Sequence, residues 1–253
     1  MHETAEQGFA AGATTYAAGR PGYPPEIVGW LRSSLGLEKG RTVLDLGAGT
    51  GKFLASLRQT EAAIAAVEPV LEMRELLAAN NPDVRTLAGS AEAIPLADGS
   101  MDAVVSAQAF HWFANAQALT EIRQVLKPGG SLGLIWNVRD ENVDWVAALT
   151  QMMAPYEGSA PRYHSGEWRK MFPAPGFGPL QERHFRHEHA GPPEQVILNR
   201  VLSVSFIAAL SSEEQESVAA RVRQLIDSFP AIARQEQVAF PYRTVAFHCT
   251  KTS

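Results

Sequence analysis

The chain carries almost no cysteine, no long apolar run and little excess charge, and each shortage removes a class of protein. Cys249, the single cysteine in 253 residues, cannot close an internal disulfide or build a cysteine zinc site, and its plain reading is a small buried hydrophobe. Nothing approaches the roughly 18 consecutive apolar residues that a membrane-spanning helix needs. The opening MHETAEQGF places acids where a secretory leader would have a basic start and an apolar run. A cytoplasmic chain without a membrane partner is therefore expected. Lys plus Arg number 22 against 27 Asp plus Glu, a net charge of -5 with no long basic run, which counts against a nucleic-acid partner whose phosphates must be neutralised. The composition, 45% hydrophobic and 19% charged, excludes a disordered chain and suits one compact unit over 1–253.

There is no repeat or low-complexity tract, and the apolar runs follow a strand-then-helix order. Candidate strands are Thr42 to Leu46, Ile64 to Val67, Val84 to Ala88, Asp102 to Ala107 and Leu132 to Trp136. Helical spacing appears over Ile27 to Leu35, in Phe53, Leu54 and Leu57, in Val70, Met73, Leu76 and Leu77, and in Leu119, Ile122, Val125 and Leu126 before Pro128-Gly129-Gly130 breaks it. Uniformly apolar strands joined by helices predict a doubly wound α/β fold with a mostly parallel sheet covered on both faces. After Asn137 prolines punctuate an aromatic-rich stretch, and two more strands, Leu180 to His189 and Pro241 to Lys251, bracket helical patterns over Gln195 to Phe206 and Glu213 to Phe229. Ser211 and Glu214 have capping-box spacing. The resulting division is a segment 1–25 ahead of the first helix, a core 26–140, covering insertions 141–178 and 190–240, and final strands 179–189 and 241–251.

The most informative stretch is Val43-Leu44-Asp45-Leu46-Gly47-Ala48-Gly49-Thr50-Gly51-Lys52, a strand that runs into glycines and on into a helix. A P-loop needs four residues between its glycines and a hydroxyl after the lysine; here three residues separate Gly47 from Gly51, and Phe53 follows Lys52. A dinucleotide loop needs glycine where Lys52 stands. Pyrophosphate is thereby disfavoured, leaving a loop that lets a flat, phosphate-free nucleoside approach the backbone at the carboxyl edge of the first strand. Glu68 ends the second strand about 20 residues on, the offset at which an acid accepts hydrogen bonds from ribose.

On these residues the chain resembles the class I S-adenosylmethionine-dependent methyltransferases, especially the small-molecule branch that includes ubiquinone-biosynthesis and trans-aconitate methyltransferases. The resemblance implies a Rossmann-like, mostly parallel seven-stranded sheet with an antiparallel strand near the C-terminus and a helical or irregular substrate lid. It implies S-adenosylmethionine as donor, S-adenosylhomocysteine as product and no metal. Asp45, Gly47, Gly49 and Gly51 match the first cofactor motif, Glu68 with Pro69 the ribose-binding corner, and Met73 an apolar neighbour of the adenine. Gly89 to Leu96 is similar to the adenine loop, with Ser90, Ala91 and Glu92 at the recognising positions. Asp102 to Trp112 resembles the fourth-strand motif, in which Ala107 and Gln108 face the methionine end and the acceptor. Trp136 to Asp140 resembles the following exit loop, and Tyr16 with Gly19 to Pro24 an N-terminal lid that carries Tyr16 and Arg20 over the cofactor. The resemblance fades through 141–240.

Candidate catalytic groups are His111, Gln108 and Arg139. His111 is weighed as a general base against a packing role, and Asp45 as ligand to the donor's ammonium against a brace for loop NH groups. Arg20 and Arg139 could both reach the carboxyl-edge cleft, which favours an acidic acceptor that needs no base. The fourth-strand exit reads Ala107-Gln108-Ala109-Phe110 rather than the Asn/Asp-Pro-Pro-Tyr/Phe tetrad of amino-directed nucleic-acid methyltransferases. The rival readings are a nucleic-acid or protein methyltransferase and a non-catalytic cofactor-binding module. His184, His187 and His189 lack a third ligand with metal-site spacing. A monomer or weak homodimer acting on a small molecule is expected.

Overall fold

A computed structural model describes residues 20–159 and 161–252. The elements, in chain order, are α1 (Glu26–Leu35), β1 (Thr42–Leu46), α2 (Leu54–Arg58), β2 (Ala63–Val67), α3 (Leu71–Asn80), β3 (Arg85–Leu87), β4 (Met101–Ala107), α4 (Ala116–Val125), β5 (Leu126–Arg139), α5 (Asp144–Met153), β6 (Gln181–Gly191), α6 (Asn199–Leu202), α7 (Ser205–Ala208), α8 (Ser212–Ser228) and β7 (Val238–Thr250). Seven strands form one sheet in the order β3-β2-β1-β4-β5-β7-β6. Neighbours from β3 to β5 run parallel, and β7 runs antiparallel to both β5 and β6. The doubly wound seven-stranded sheet with its antiparallel C-terminal strand is the architecture expected.

Both faces are buried because the inner strands are apolar at most positions, Asp45 and Ser106 being the buried polar exceptions in β1 and β4. Val43, Val105, Ile135 and Ala246 pack toward α1, α2 and Leu77 of α3 on one face. Leu44, Val104, Leu134 and Phe247 pack on the other face against α4 and against Trp168 and Phe177 of the irregular segment that follows α5. A third cluster gathers α5, the one-turn element Glu194–Leu198, α6, α7 and α8 around Val238, Phe240 and Tyr242 at the start of β7. Helices thus stack beyond the carboxyl end of β5 and around the start of β7.

Several elements differ from the sequence reading for local reasons. β5 begins at Leu126 rather than Leu132, because a bulge carries Pro128-Gly129-Gly130 between the Met101↔Leu126 and Ala103↔Ser131 pairings. The helix expected over Gln195 to Phe206 is broken into a one-turn element and the short helices α6 and α7. At the break the carbonyl of Ser203 accepts a hydrogen bond from Arg20 Nη2 at 3.1 Å, which compensates that acceptor outside the helix ladder. The capping box of α8 forms as the spacing indicates: Ser211 Oγ accepts from the Glu214 NH and the Glu214 carboxylate accepts from the Ser211 NH. β6 is the exposed edge strand, guarded by its charged Gln181-Glu182-Arg183-His184 end.

Candidate active site

The carboxyl ends of β1, β2 and β4 open into a cleft of about 1140 Å³ counting its mouth. Its walls bring together Arg20, Asp45, Gly47, Gly49, Glu68, Pro69, Met73, Ser90, Ala91, Glu92, Ala107 and Gln108, which the sequence had placed near one ligand. Of the other sequence-predicted residues, His111 and Arg139 line a neighbouring cavity. Gly51 does not line the cleft; at φ +84° it is where a Cβ would press to 2.9 Å of Leu54 and 3.0 Å of Asn81 Nδ2, so its glycine serves packing between α2 and α3. Tyr16 lies outside the described residues.

The glycine loop is held open by its own hydrogen bonds. Gly47 takes φ +71°, and its NH and that of Ala48 both donate to the Val67 carbonyl, which ties the loop to β2. A Cβ at Gly47 would sit 2.8 Å from the Ala109 Cβ. Glu68, only 4% exposed, anchors the other side: Oε2 accepts from the Gly49 NH at 2.8 Å and Oε1 from the Val70 NH at 2.9 Å. Each carboxylate oxygen keeps a second lone pair for a ligand hydroxyl. Burial raises the Glu68 carboxyl above its ordinary value, opposed by those two NH donors.

Asp45 is the contrasting acid. It is 1% exposed, and neither carboxylate oxygen has a hydrogen-bond partner among the described residues. Burial, aided by the nearby Glu68 charge, pushes its carboxyl up to about 7. The brace reading of Asp45 is therefore corrected, since Glu68 takes the Gly49 NH while Asp45 faces the cleft as an orphaned acceptor. A buried carboxylate without partners fits a cationic ligand group such as an α-ammonium.

Gln108 joins this cleft to a second one. It sits at the exit of β4 with φ +61°, a left-handed conformation that costs energy for a side chain with a Cβ, and its NH donates to the Ile135 carbonyl. The second cavity, about 930 Å³ on the same basis, is walled by His111, Trp136, Arg139, Met153, Arg162, Tyr163 and Phe206, with Arg20, Gln108, Trp112, Asn137 and Arg200 shared between the two. Asn137 is fixed from both sides, donating to the Gly22 carbonyl at 2.8 Å and accepting from Thr244 Oγ1 at 2.6 Å.

His111 lines this second cavity, and its chemistry is set by Trp136. The Trp136 indole NH points at His111 Nδ1, 3.1 Å away. An indole nitrogen only donates, so Nδ1 is the unprotonated nitrogen and the ring proton resides on Nε2. Burial, together with Arg162, Arg20 and His164, depresses the imidazole to about 3. These facts correct the base reading: the lone pair a base would use is engaged, and a neutral Nε2–H donor is what His111 offers. Arg139 is depressed to about 10 by burial and by Arg200, and its Nη1 donates to the Met153 sulfur at 3.5 Å.

Arg162, Arg200 and Tyr242 belong to the site yet escaped sequence reasoning. They come from an irregular segment, a four-residue helix and the antiparallel strand, with no motif around them. The spaced prolines and the covering role expected of 141–178 and 190–240 were the only signals available. Among the described residues no group of three or more His, Cys, Asp or Glu side chains could hold a metal ion, and no helix is long and apolar enough to cross a membrane.

Comparison with known proteins agrees with this geometry. A methyltransferase-domain family matches residues 44–134. The methyltransferase-like protein C25B8.10 of Schizosaccharomyces pombe is 38% identical over 246 residues, covering 96% of this chain and 95% of its own. The methyltransferase Rv3342 of Mycobacterium tuberculosis is 40% identical over 242 residues, with the same coverage of 96% and 95%. In fold, a protein from Anaeromyxobacter dehalogenans described as a type II methyltransferase superposes with a TM-score of 0.63 at 21% identity, over 92% of this chain and 97% of that one. The glycine loop, the strand-end acid Glu68, the sheet order and these relatives, matched over nearly their whole length, together establish that the chain belongs to the class I S-adenosylmethionine-dependent methyltransferases.

Proposed function

We propose that the chain transfers the methyl group of S-adenosylmethionine to a small, acidic metabolite. The observation that carries this is the second cavity, reached past Gln108 and walled by arginines rather than by an open basic surface. A macromolecular substrate needs an open face, and a non-catalytic sensor needs no second cavity. The donor brings an activated sulfonium methyl, so the protein must align an acceptor, exclude water and, for a protic acceptor, remove a proton.

The residues fit the first two tasks and lack the third. Asp45 and Glu68 would hold the ammonium and ribose ends, with Met73, Ser90 and Ala91 around the adenine and Arg20 near the carboxylate end. Gln108 and Asn137 stand at the junction where donor and acceptor meet. His111 offers Nε2–H to an acceptor oxygen, which suits a group that arrives already deprotonated, as a carboxylate does near neutral pH. The acceptor oxygen then forms its bond to the methyl carbon as the carbon–sulfur bond breaks, the electron pair stays on sulfur, and no proton moves. Segments 141–178 and 190–240 would wall the acceptor, and 1–25 would close over the donor. The test is turnover with S-adenosylmethionine across a library of acids, amines and phenols, reading S-adenosylhomocysteine and the methylated product by mass. Formation of a methyl ester from an acid supports the reading; turnover confined to amines or phenols overturns it.

A further inference from the structure

The charges that line the acceptor cavity do not balance. Four arginines, at 20, 139, 162 and 200, face two glutamates, Glu141 and Glu157. Arg20 is already bonded to the Ser203 carbonyl. Arg162 has its counter-ion, with Nε donating to Glu157 at 3.1 Å while its guanidinium lies 4.4 Å over the Phe206 ring. Glu157 also meets His164 Nε2 at 3.1 Å, and Glu141 accepts from Thr150 Oγ1 at 3.0 Å.

Arg162 Nη2 is also without an acceptor among the described residues, yet Arg162 keeps its ion pair; among the same residues Arg139 and Arg200 have none, and Arg139 has only the Met153 sulfur. Arg200 Nε and Nη1 are closed off from solvent without an acceptor. Buried guanidinium donors without acceptors are costly, and the cost is removed by a ligand that supplies anionic oxygens. The two come from separate elements, the end of β5 and α6, so they reach the cavity from different directions along the chain. One anionic group can bridge the two guanidiniums, since its oxygens have lone pairs enough to accept from both. An acceptor with a single carboxylate would also surrender its ionic anchor in the reaction, because that oxygen becomes an uncharged ester oxygen.

We propose that the acceptor is a dianion, a small molecule whose negative charge at the transfer end is matched by a second one held by Arg139 and Arg200. This rests on the methyl-transfer reading and narrows its substrate class from acids to doubly charged ones. A dicarboxylate and a phosphate monoester share that chemistry.

The test titrates the chain, first loaded with S-adenosylhomocysteine, with dicarboxylates from malonate to adipate, with monocarboxylates of equal length, and with glycerol 3-phosphate. At least one dianion should bind about tenfold tighter than its monoanionic counterpart, the equivalent of about 1.4 kcal/mol. In Arg139→Gln that gap should shrink to about threefold or less, while S-adenosylhomocysteine binding in the same cell reports that the variant is folded. A dicarboxylate preference or a glycerol 3-phosphate preference supports the dianion and identifies its source. Equal affinities for dianions and monoanions, or a gap that survives Arg139→Gln, overturn the proposal. Failure of the unaltered chain to bind S-adenosylhomocysteine would instead remove the methyl-transfer reading beneath it.

Discussion

In the proposed complex, Asp45 makes donor binding a proton-linked event. With its carboxyl raised to about 7 by burial and by Glu68, half of the ligand-free molecules carry a proton there at neutral pH. A ligand ammonium needs the ionised form. Binding must then expel that proton, and below pH 7 each pH unit should weaken S-adenosylhomocysteine by about tenfold, or about 1.4 kcal/mol. The sign for the free chain is the reverse. A carboxyl raised above its ordinary 3.8 favours folding while protonated, and that contribution is lost as pH rises through about 7. Calorimetry from pH 5.5 to 7, repeated in buffers of different ionisation enthalpy, reads both the slope and the released proton. Asp45→Asn removes the titrating group, so its affinity should be flat over this range. At pH 7 it should be weaker than the original by roughly 1.5 to 3 kcal/mol, the worth of a charge-assisted hydrogen bond. A flat profile in the unaltered chain, or a surviving slope in Asp45→Asn, would refute the reasoning.

Three further outcomes are expected. Glu68→Ala should cost roughly 1.5 to 3 kcal/mol of donor affinity by calorimetry, since it removes an ionic acceptor and releases the Gly49 NH; unchanged affinity in a folded variant sinks the assignment. Gly47→Ala should lower stability by roughly 1 to 3 kcal/mol in urea unfolding, because a left-handed backbone and a contact with Ala109 meet at one residue; an unchanged midpoint contradicts it. Nitrogen-15 NMR should find the His111 proton on Nε2 with no titration from pH 8 to 5, and Trp136→Phe, which removes the indole donor, should let the proton distribute over both ring nitrogens. A His111 that titrates near 6.5 in the unaltered chain would restore the base reading.

The donor half of the molecule was legible in the sequence because it is local. Strand, glycine loop and strand-end acid lie within Thr42 to Glu68, and short-range rules of backbone conformation and burial fix what those residues can do. Period and punctuation likewise gave the sheet class, since a strand buried on both faces must be apolar throughout. Boundaries failed where backbone pairing decided them, as at the β5 bulge, and where a distant side chain intervened, as when Arg20 meets the broken turn at Ser203. Beyond Arg20, Gln108, His111 and Arg139, which the sequence singled out, the second cavity was decided by tertiary structure. Arg139, Arg162 and Arg200 are far apart in the chain and carry no shared spacing, and only the packing of α5 to α8 on β7 turns them into one cavity. The tautomer of His111 depends on Trp136 of another strand, and the free carboxylate of Asp45 on Glu68 having taken the Gly49 NH. Each is a contact between segments, and a linear pattern holds no record of it.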